Sequence, residues 1–267
     1  MKFRILIFSI FLMTSAVAFA QVTFQPKQQS YDSEGIVFDK EVTVDLRILQ
    51  THGFTIGFNR GKLKTYYKTP FYHLSIGELK HIKEFRQQSF ESAGFNGFGN
   101  SQSFIFGKQN NLYVIRGGYG QKRYFTEKDK IKGIAVGMSW EFGPTLGLLK
   151  PYFLDLSFPV GTGGNRIFRA ERFTEENRDV FLDRSRIGGA VGLGKGWGQL
   201  SVRPGVHAAA SIHLDWGAFD EFVKAVEAGF MVDVFVGDVD ILVELDGVEN
   251  RPFFLNLFVN LQLGKRW

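Results

Sequence analysis

The side chains with most chemical potential in this chain are His207, Ser211 and His213, which fall on one face of a stretch with a two-residue period. A serine activated by an adjacent histidine, itself oriented by an acid or amide, is the equipment of a hydrolase. Strand geometry opposes that reading. Residues 207 and 211 are four apart, roughly 13 Å at strand rise, and 211 and 213 are about 7 Å apart, both beyond hydrogen-bond reach without a bend. The chain is therefore expected not to be an enzyme, with a lipid-modifying hydrolase at this stretch kept as an alternative.

Other candidates are weaker. Gly161-Thr-Gly-Gly-Asn165 lacks the Gly-Lys-Ser/Thr ending and the helical pattern that a phosphate-binding loop needs, and reads as a turn. Glu175, Glu176, Asp179 and Asp183 could gather a divalent cation, but Arg172, Arg178 and Arg184 are interspersed among them. A solvated loop over 161–184, able to dock another envelope protein, fits better. The 5 histidines show no metal-ligand spacing, and 0 cysteines exclude disulfides, thiol enzymes and Cys-ligated metals. No metal or cofactor is expected.

Glu41, Asp45, Arg47, Arg116, Glu141, Arg203, His207 and Asp233 all lie on the polar side of alternating stretches and carry both signs. Facing inward in a narrow barrel, they would form a hydrogen-bonded plug, because an unpaired buried charge is costly. A small passive pore for ions or small solutes would use similar residues with water between them.

The elements that position these residues are strands. From Phe253 to Leu263 every odd position is apolar, and the even ones include Asn256, Asn260 and Gln262. Residues 41–49 put Val42, Val44, Leu46 and Ile48 on one face. After a Thr51-His-Gly53 turn, Phe54, Ile56 and Phe58 continue the same face. Further strands are expected at 71–79, 111–120 and 131–142. Gly143-Pro144 would turn the chain into 146–156. A hairpin of 187–194 and 199–213 through Lys195-Gly-Trp-Gly198 follows, then 225–236. The stretch 80–107 reads as a short helix, an extra hairpin near Ser103-Phe-Ile-Phe-Gly107, or both. The connection 215–224, with Phe219, Phe222, Val223 and Val226, reads as an aromatic-rich turn rather than an amphipathic helix. The expected fold is all-β, a transmembrane antiparallel up-and-down β-barrel of about ten strands, within a range of eight to twelve. Trp140, Trp197, Trp216 and Trp267 are expected in interfacial aromatic girdles.

Residues 1–20 have the basic start, apolar centre and Ala18-Phe-Ala20 ending of an export signal. Losing Lys2 and Arg4 takes the net charge from +5 to about +3, which gives no case for nucleic acid. Residues 21–40 read as a periplasmic lead-in and 41–267 as the barrel. Mean hydropathy of -0.07 is near neutral, as expected when apolar and polar residues alternate. Abundant glycine (31) suits close-packed curving strands, and abundant phenylalanine (29) suits an apolar outer face.

The signal, the strand pattern and the ending Leu263-Gly-Lys-Arg-Trp267 resemble the small porin-like outer-membrane β-barrels of Gram-negative bacteria, with an ending similar to the Bacteroidota kind. The resemblance implies location in the cell outer membrane and contact with its lipids. It also implies a terminal assembly signal, Leu263 and Trp267, read by the barrel-insertion machinery. A structural or interaction role is the expected function, as an accessory subunit of an envelope assembly or secretion complex. Ten strands raise a topological problem: with a periplasmic N-terminus, the long 161–184 loop would fall in the periplasm, the reverse of the usual arrangement. Either a strand before residue 131 is miscounted, or the recognition surface faces inward.

Overall fold

The computed structural model describes residues 38–65, 67–89, 103–126, 133–160, 165–217, 220–245 and 247–267. The export signal, residues 21–37 of the lead-in, Gly161 to Gly164 and Phe219 lie outside that set. Eight antiparallel strands close into a barrel: β1 (Lys40–Leu49), β2 (Phe54–Lys62), β3 (Lys68–Leu79), β6 (Asn110–Tyr124), β7 (Ala135–Pro151), β11 (Ser201–Asp215), β12 (Phe222–Phe235) and β13 (Phe253–Arg266). Closure is made by β13 on β1, from Glu41 opposite Arg266 to Leu49 opposite Phe258. The backbones of Lys40 and Trp267 exchange two further hydrogen bonds.

The alternation read in the sequence is the alternation of the wall. Val44, Leu46, Ile48, Phe54, Ile56, Phe58 and the odd residues from Leu255 to Leu263 point outward and are exposed. Their neighbours Glu41, Asp45, Arg47, Thr55, Asn59, Asn256, Asn260 and Gln262 point inward and are buried. Following cross-strand partners from Glu41 through Gly61, Phe71, Gly120, Glu141, Ala209, Met231 and Asn256, and extending the β13–β1 register two residues past Leu49 opposite Phe258, arrives at position 51. A stagger of ten residues over eight strands corresponds to a tilt of about 40° and an interior that side chains alone can fill.

Eight strands lie at the lower edge of the expected range, and the difference has local causes. Gly143-Pro144 is not a turn. β7 runs straight through it, joining two expected strands into one of 17 residues. The β6–β7 ladder omits the pairs between Arg116 opposite Thr145 and Tyr119 opposite Phe142. The proline, which has no N–H to donate, therefore sits in a local gap. The strands approach so closely there that a Cβ on Gly118 would meet the carbonyl oxygen of Phe142, and one on Gly143 that of Gly117.

The expected hairpin of 187–194 and 199–213 is also corrected, since only β11 joins the barrel. β10 (Ile187–Ala190) instead pairs with β8 (Phe153–Val160), which pairs with β9 (Asn165–Arg172) in a separate three-stranded sheet. The expected loop over 161–184 is thus largely folded, as β9, a 3₁₀ turn at Glu175–Asn177 and a short helix, α1 (Arg178–Phe181). Leu154, Leu156, Phe181 and Ile187 form its core with Phe104 and Val243 from neighbouring connections. In the uncertain 80–107 stretch, β4 (Arg86–Gln87) pairs with β5 (Phe104–Ile105) as a minimal hairpin, and residues 90–102 lie outside the described set. In the connection from Asp215 to Phe222, Trp216 and Gly217 form a turn, and Ala218 and Phe219 lie outside the described set.

With eight strands the two rims differ sharply. One carries the ends of β1 and β13 and the short connections 63–67, 125–134 and 216–221. The other carries the 50–53 turn and the long connections 80–109, 152–200 and 236–252.

Candidate functional site, a filled interior beneath a folded cap

The interior is built in tiers, beginning at the rim that carries the termini. There Glu41 accepts hydrogen bonds from Lys122 Nζ at 2.7 Å and Arg266 Nε at 2.8 Å. Arg266 Nη2 and the Tyr124 hydroxyl both donate to Asp215, at 2.9 and 2.8 Å. Above them Asp45 accepts from Asn59 (2.8 Å), Gln262 (2.8 Å) and Asn260 (3.2 Å). Asn260 also donates to Glu227 at 3.0 Å, and Glu227 lies 2.8 Å from His213 Nδ1.

Mid-barrel, Arg47 forks onto both oxygens of Glu141, at 2.6 and 3.3 Å, with its guanidinium 4.3 Å above the Phe258 ring. Arg116 grips Asp233 through Nε and Nη2 at 2.7 and 2.9 Å. Both members of that pair have 0% side-chain exposure. Forked geometry of this kind is what compensates desolvation of two charges. A cavity of about 10 Å³, the room one water needs, is lined by Asp45, Arg47, Asn59, His73 and Glu141 among others.

Toward the other rim the lumen becomes apolar. Leu49, Leu79, Leu112, Val114, Leu149, Met231, Phe235 and Phe258 meet Val239, Ile241 and Leu242, which the 236–252 connection folds inward. Gln109 N–H bonds the Ile241 carbonyl at 2.8 Å, fixing that lid to the foot of β6. Over it sits the cap of β8, β9 and β10, with an open groove lined by Phe153, Ala170, Glu171, Arg172, Thr174, Glu176, Asn177 and Gln199. In the cap, two hydrogen bonds from Ser185 hold the Asp183 carboxyl below its usual range. Burial raises the Tyr152 phenol, whose oxygen accepts from Ile105 N–H.

Of the expected interior residues, Glu41, Asp45, Arg47, Arg116, Glu141, His207 and Asp233 are buried in the lumen. Arg203 is not part of the network. It has the right parity but lies at the cap-side rim, where its Nε donates to the Asp238 carbonyl at 3.4 Å. Sequence reasoning missed Lys122, Tyr124, Asp215 and Arg266, whereas Glu227 has the inward parity expected of the 225–236 strand. Arg266 shares the even parity of Asn256 to Gln262 and was findable by extending β13 past its apolar run. Lys122 was findable by extending β6 past Gly120.

Trp216 and Trp267 are exposed at the terminal rim, and Leu263 points outward nearby. Trp197 stacks on Tyr113 at the cap side, with ring centroids 5.6 Å apart. Trp140 lies within β7, stacked on Phe142 at 5.9 Å, and so is farther from a rim than expected.

The serine-histidine arrangement is not assembled. Among the described contacts Ser211 bonds neither histidine. His207 Nδ1 faces Thr145 Oγ1 at 2.9 Å, and its Nε2 faces His73 Nε2 at 3.3 Å. His73, His207 and Glu141 do converge, with ligand-type atoms within 4.8 Å of one another, although they come from three strands and share no sequence spacing. Glu141 already holds Arg47, so a cation entering there would have to break that fork.

The fold and interior define a closed eight-stranded antiparallel β-barrel with an apolar outer wall. No protein-family model and no curated protein matches the chain. Among solved structures, it is similar to the N-terminal β-barrel domain of Pseudomonas aeruginosa OprF. That match has 10% identity and a TM-score of 0.35, and covers 86% of this chain and 97% of that one. The closed-barrel assignment rests on the strand pairing itself.

Proposed function

We propose that the chain is an integral, porin-like barrel of a Gram-negative outer membrane, of the Bacteroidota kind by its ending. Its role is structural or interaction-based, exerted through the folded cap, and its lumen does not conduct. The observation that carries the reading is the inverted wall, with apolar side chains outside and paired charges inside. A sheet can cross hydrocarbon only when closed, and a closed sheet with this polarity has its apolar face available for lipid. A terminal rim in the periplasm puts the cap outside the cell, in keeping with the usual short-turn, long-loop asymmetry. On this reading the topological problem comes from two strands counted too many after residue 131, at Gly143-Pro144 and at 187–194. It does not come from a miscount before that residue, where the four expected strands stand. The cap then serves as the surface for another envelope component, and Leu263 and Trp267 address the insertion machinery.

Ion-paired tiers and an apolar lid argue against the pore reading. The hydrolase reading rested on Ser211, which bonds neither histidine among the described contacts. The hydroxyl that does face His207, Thr145 Oγ1 at 2.9 Å, is buried in the lumen, and catalysis is not proposed. The absence of cysteine offers a direct test. Asp179→Cys in the cap should react with an impermeant maleimide in intact cells, and Lys64→Cys at the terminal rim only after lysis. The reverse pattern would make an inward-facing docking surface the better reading. Single-channel steps from the purified protein in planar bilayers would overturn the non-conducting lumen.

A further inference from the structure

We propose that the terminal rim is a binding belt for the phosphate groups of anionic lipids; the inference rests on the membrane-barrel reading above. Two cross-strand pairs at this rim place like charges directly opposite each other. Lys40 faces Lys62 across β1 and β2, and Lys68 faces Arg123 across β3 and β6. All four are exposed. Their parity, one residue off the inward Glu41, Gly61, Thr69 and Lys122, puts them on the outer wall. Directly opposite residues have Cβ atoms about 4.5–5.5 Å apart, and like charges so placed destabilise a sheet unless an anion sits between them.

The arc is continuous. Exposed Lys64 occupies the turn joining the two pairs, and Arg60 stands one position along the outer wall of β2. On the far side of β1, exposed Lys265 and Lys224 extend the belt over β13 and β12. Among the described residues, the exposed acids at this rim are Asp39, Asp220 and Glu221, and Glu221 is held by Lys265 at 2.9 Å.

At the cap-side rim Lys80 and Arg251 are paired with Glu78 at 3.7 Å and Glu249 at 3.2 Å, and Lys83 and Arg203 donate to the backbone carbonyls of Gly247 and Asp238. Exposed Tyr67, Phe125, Phe222, Trp216 and Trp267 mark the terminal rim as the depth where rings meet headgroups. The occupant is thus a headgroup phosphate of the adjoining leaflet, bracketed by two side chains of a pair through charge-assisted hydrogen bonds.

The test compares the full mature barrel, folded into vesicles of phosphatidylcholine alone or with added phosphatidylglycerol, with K40Q/K62Q/K68Q/R123Q. The wild-type barrel is expected to melt at a higher temperature when phosphatidylglycerol is present. The increment should vanish near 1 M salt, where the screening length is about 3 Å. The variant should lose most of the increment. In native mass spectrometry it should retain at least roughly five-fold less phosphatidylglycerol, the factor contributed by one basic side chain near an anionic surface. An equal increment in the variant would overturn the belt. So would insertion of the wild type into both vesicles with no increment. An equal increment from inorganic phosphate in detergent would overturn the lipid as occupant. Failure to insert into either vesicle would overturn the membrane-barrel reading as well, which separates the two failures.

Discussion

At the scale of single residues, the interior is governed by the cost of leaving a desolvated charge without its partner. Arg116 and Asp233 are both fully buried and forked onto each other. Asp233→Ala therefore strands a guanidinium and should cost about 3–5 kcal/mol, measurable by urea unfolding of the vesicle-inserted barrel. Replacing both residues, as Arg116→Met with Asp233→Leu, should cost less than Asp233→Ala alone, because no orphaned charge remains. If the double variant is the less stable, the pair contributes net stability beyond mutual compensation. Which residues face inward was legible in the sequence, since parity along a strand is a local property. Which inward residues meet was not. Arg47 and Glu141 are 94 positions apart, Arg266 and Glu41 are 225 apart, and their contact depends on stagger and closure. The convergence of His73 and His207 was hidden for the same reason.

At the scale of elements, what misled the sequence reading was a proline in mid-strand. Gly-Pro signals a turn wherever a regular ladder is required, but here the neighbouring Gly117 and Gly118 let β6 and β7 approach and leave the proline in a gap. The glycines, not the proline, are the constraint. Pro144 is exposed on the outer wall, so Pro144→Ala should change stability by about 0.5 kcal/mol or less. Gly143→Ala, whose methyl would lie 2.6 Å from Gly118 Cα, should abolish the folded, heat-modifiable band on electrophoresis. A folded band in the second variant would mean that the strands can separate there. The cap was illegible for a different reason: its strands are short, its charges are dense, and its core is completed by Phe104 and Val243 from elsewhere in the chain. Phe181→Ala should cost that core about 3–5 kcal/mol. Limited proteolysis should then cut within the cap while the barrel strands remain protected. Loss of barrel protection as well would show the two to be one cooperative unit.

At the scale of the whole molecule, strand number and stagger decide what the lumen can do. Eight strands with a ten-residue stagger enclose a space that side chains fill, and it is filled twice over. Val239, Ile241 and Leu242 close the cap side, and the Arg47–Glu141 and Arg116–Asp233 forks close the middle. These barriers are in series, so removing one should not open a path. V239S/I241S/L242S makes the lid polar while leaving the forks in place, and the purified variant should remain silent in planar bilayers. The apolar layer also buries its residues against Leu49, Leu79 and Phe235, so the same variant should melt at a lower temperature than the parent. Conductance appearing in it while the parent stays silent would mean that the forks admit ions between them. The lid would then be a gate rather than one of two plugs, and the pore reading would replace the structural one.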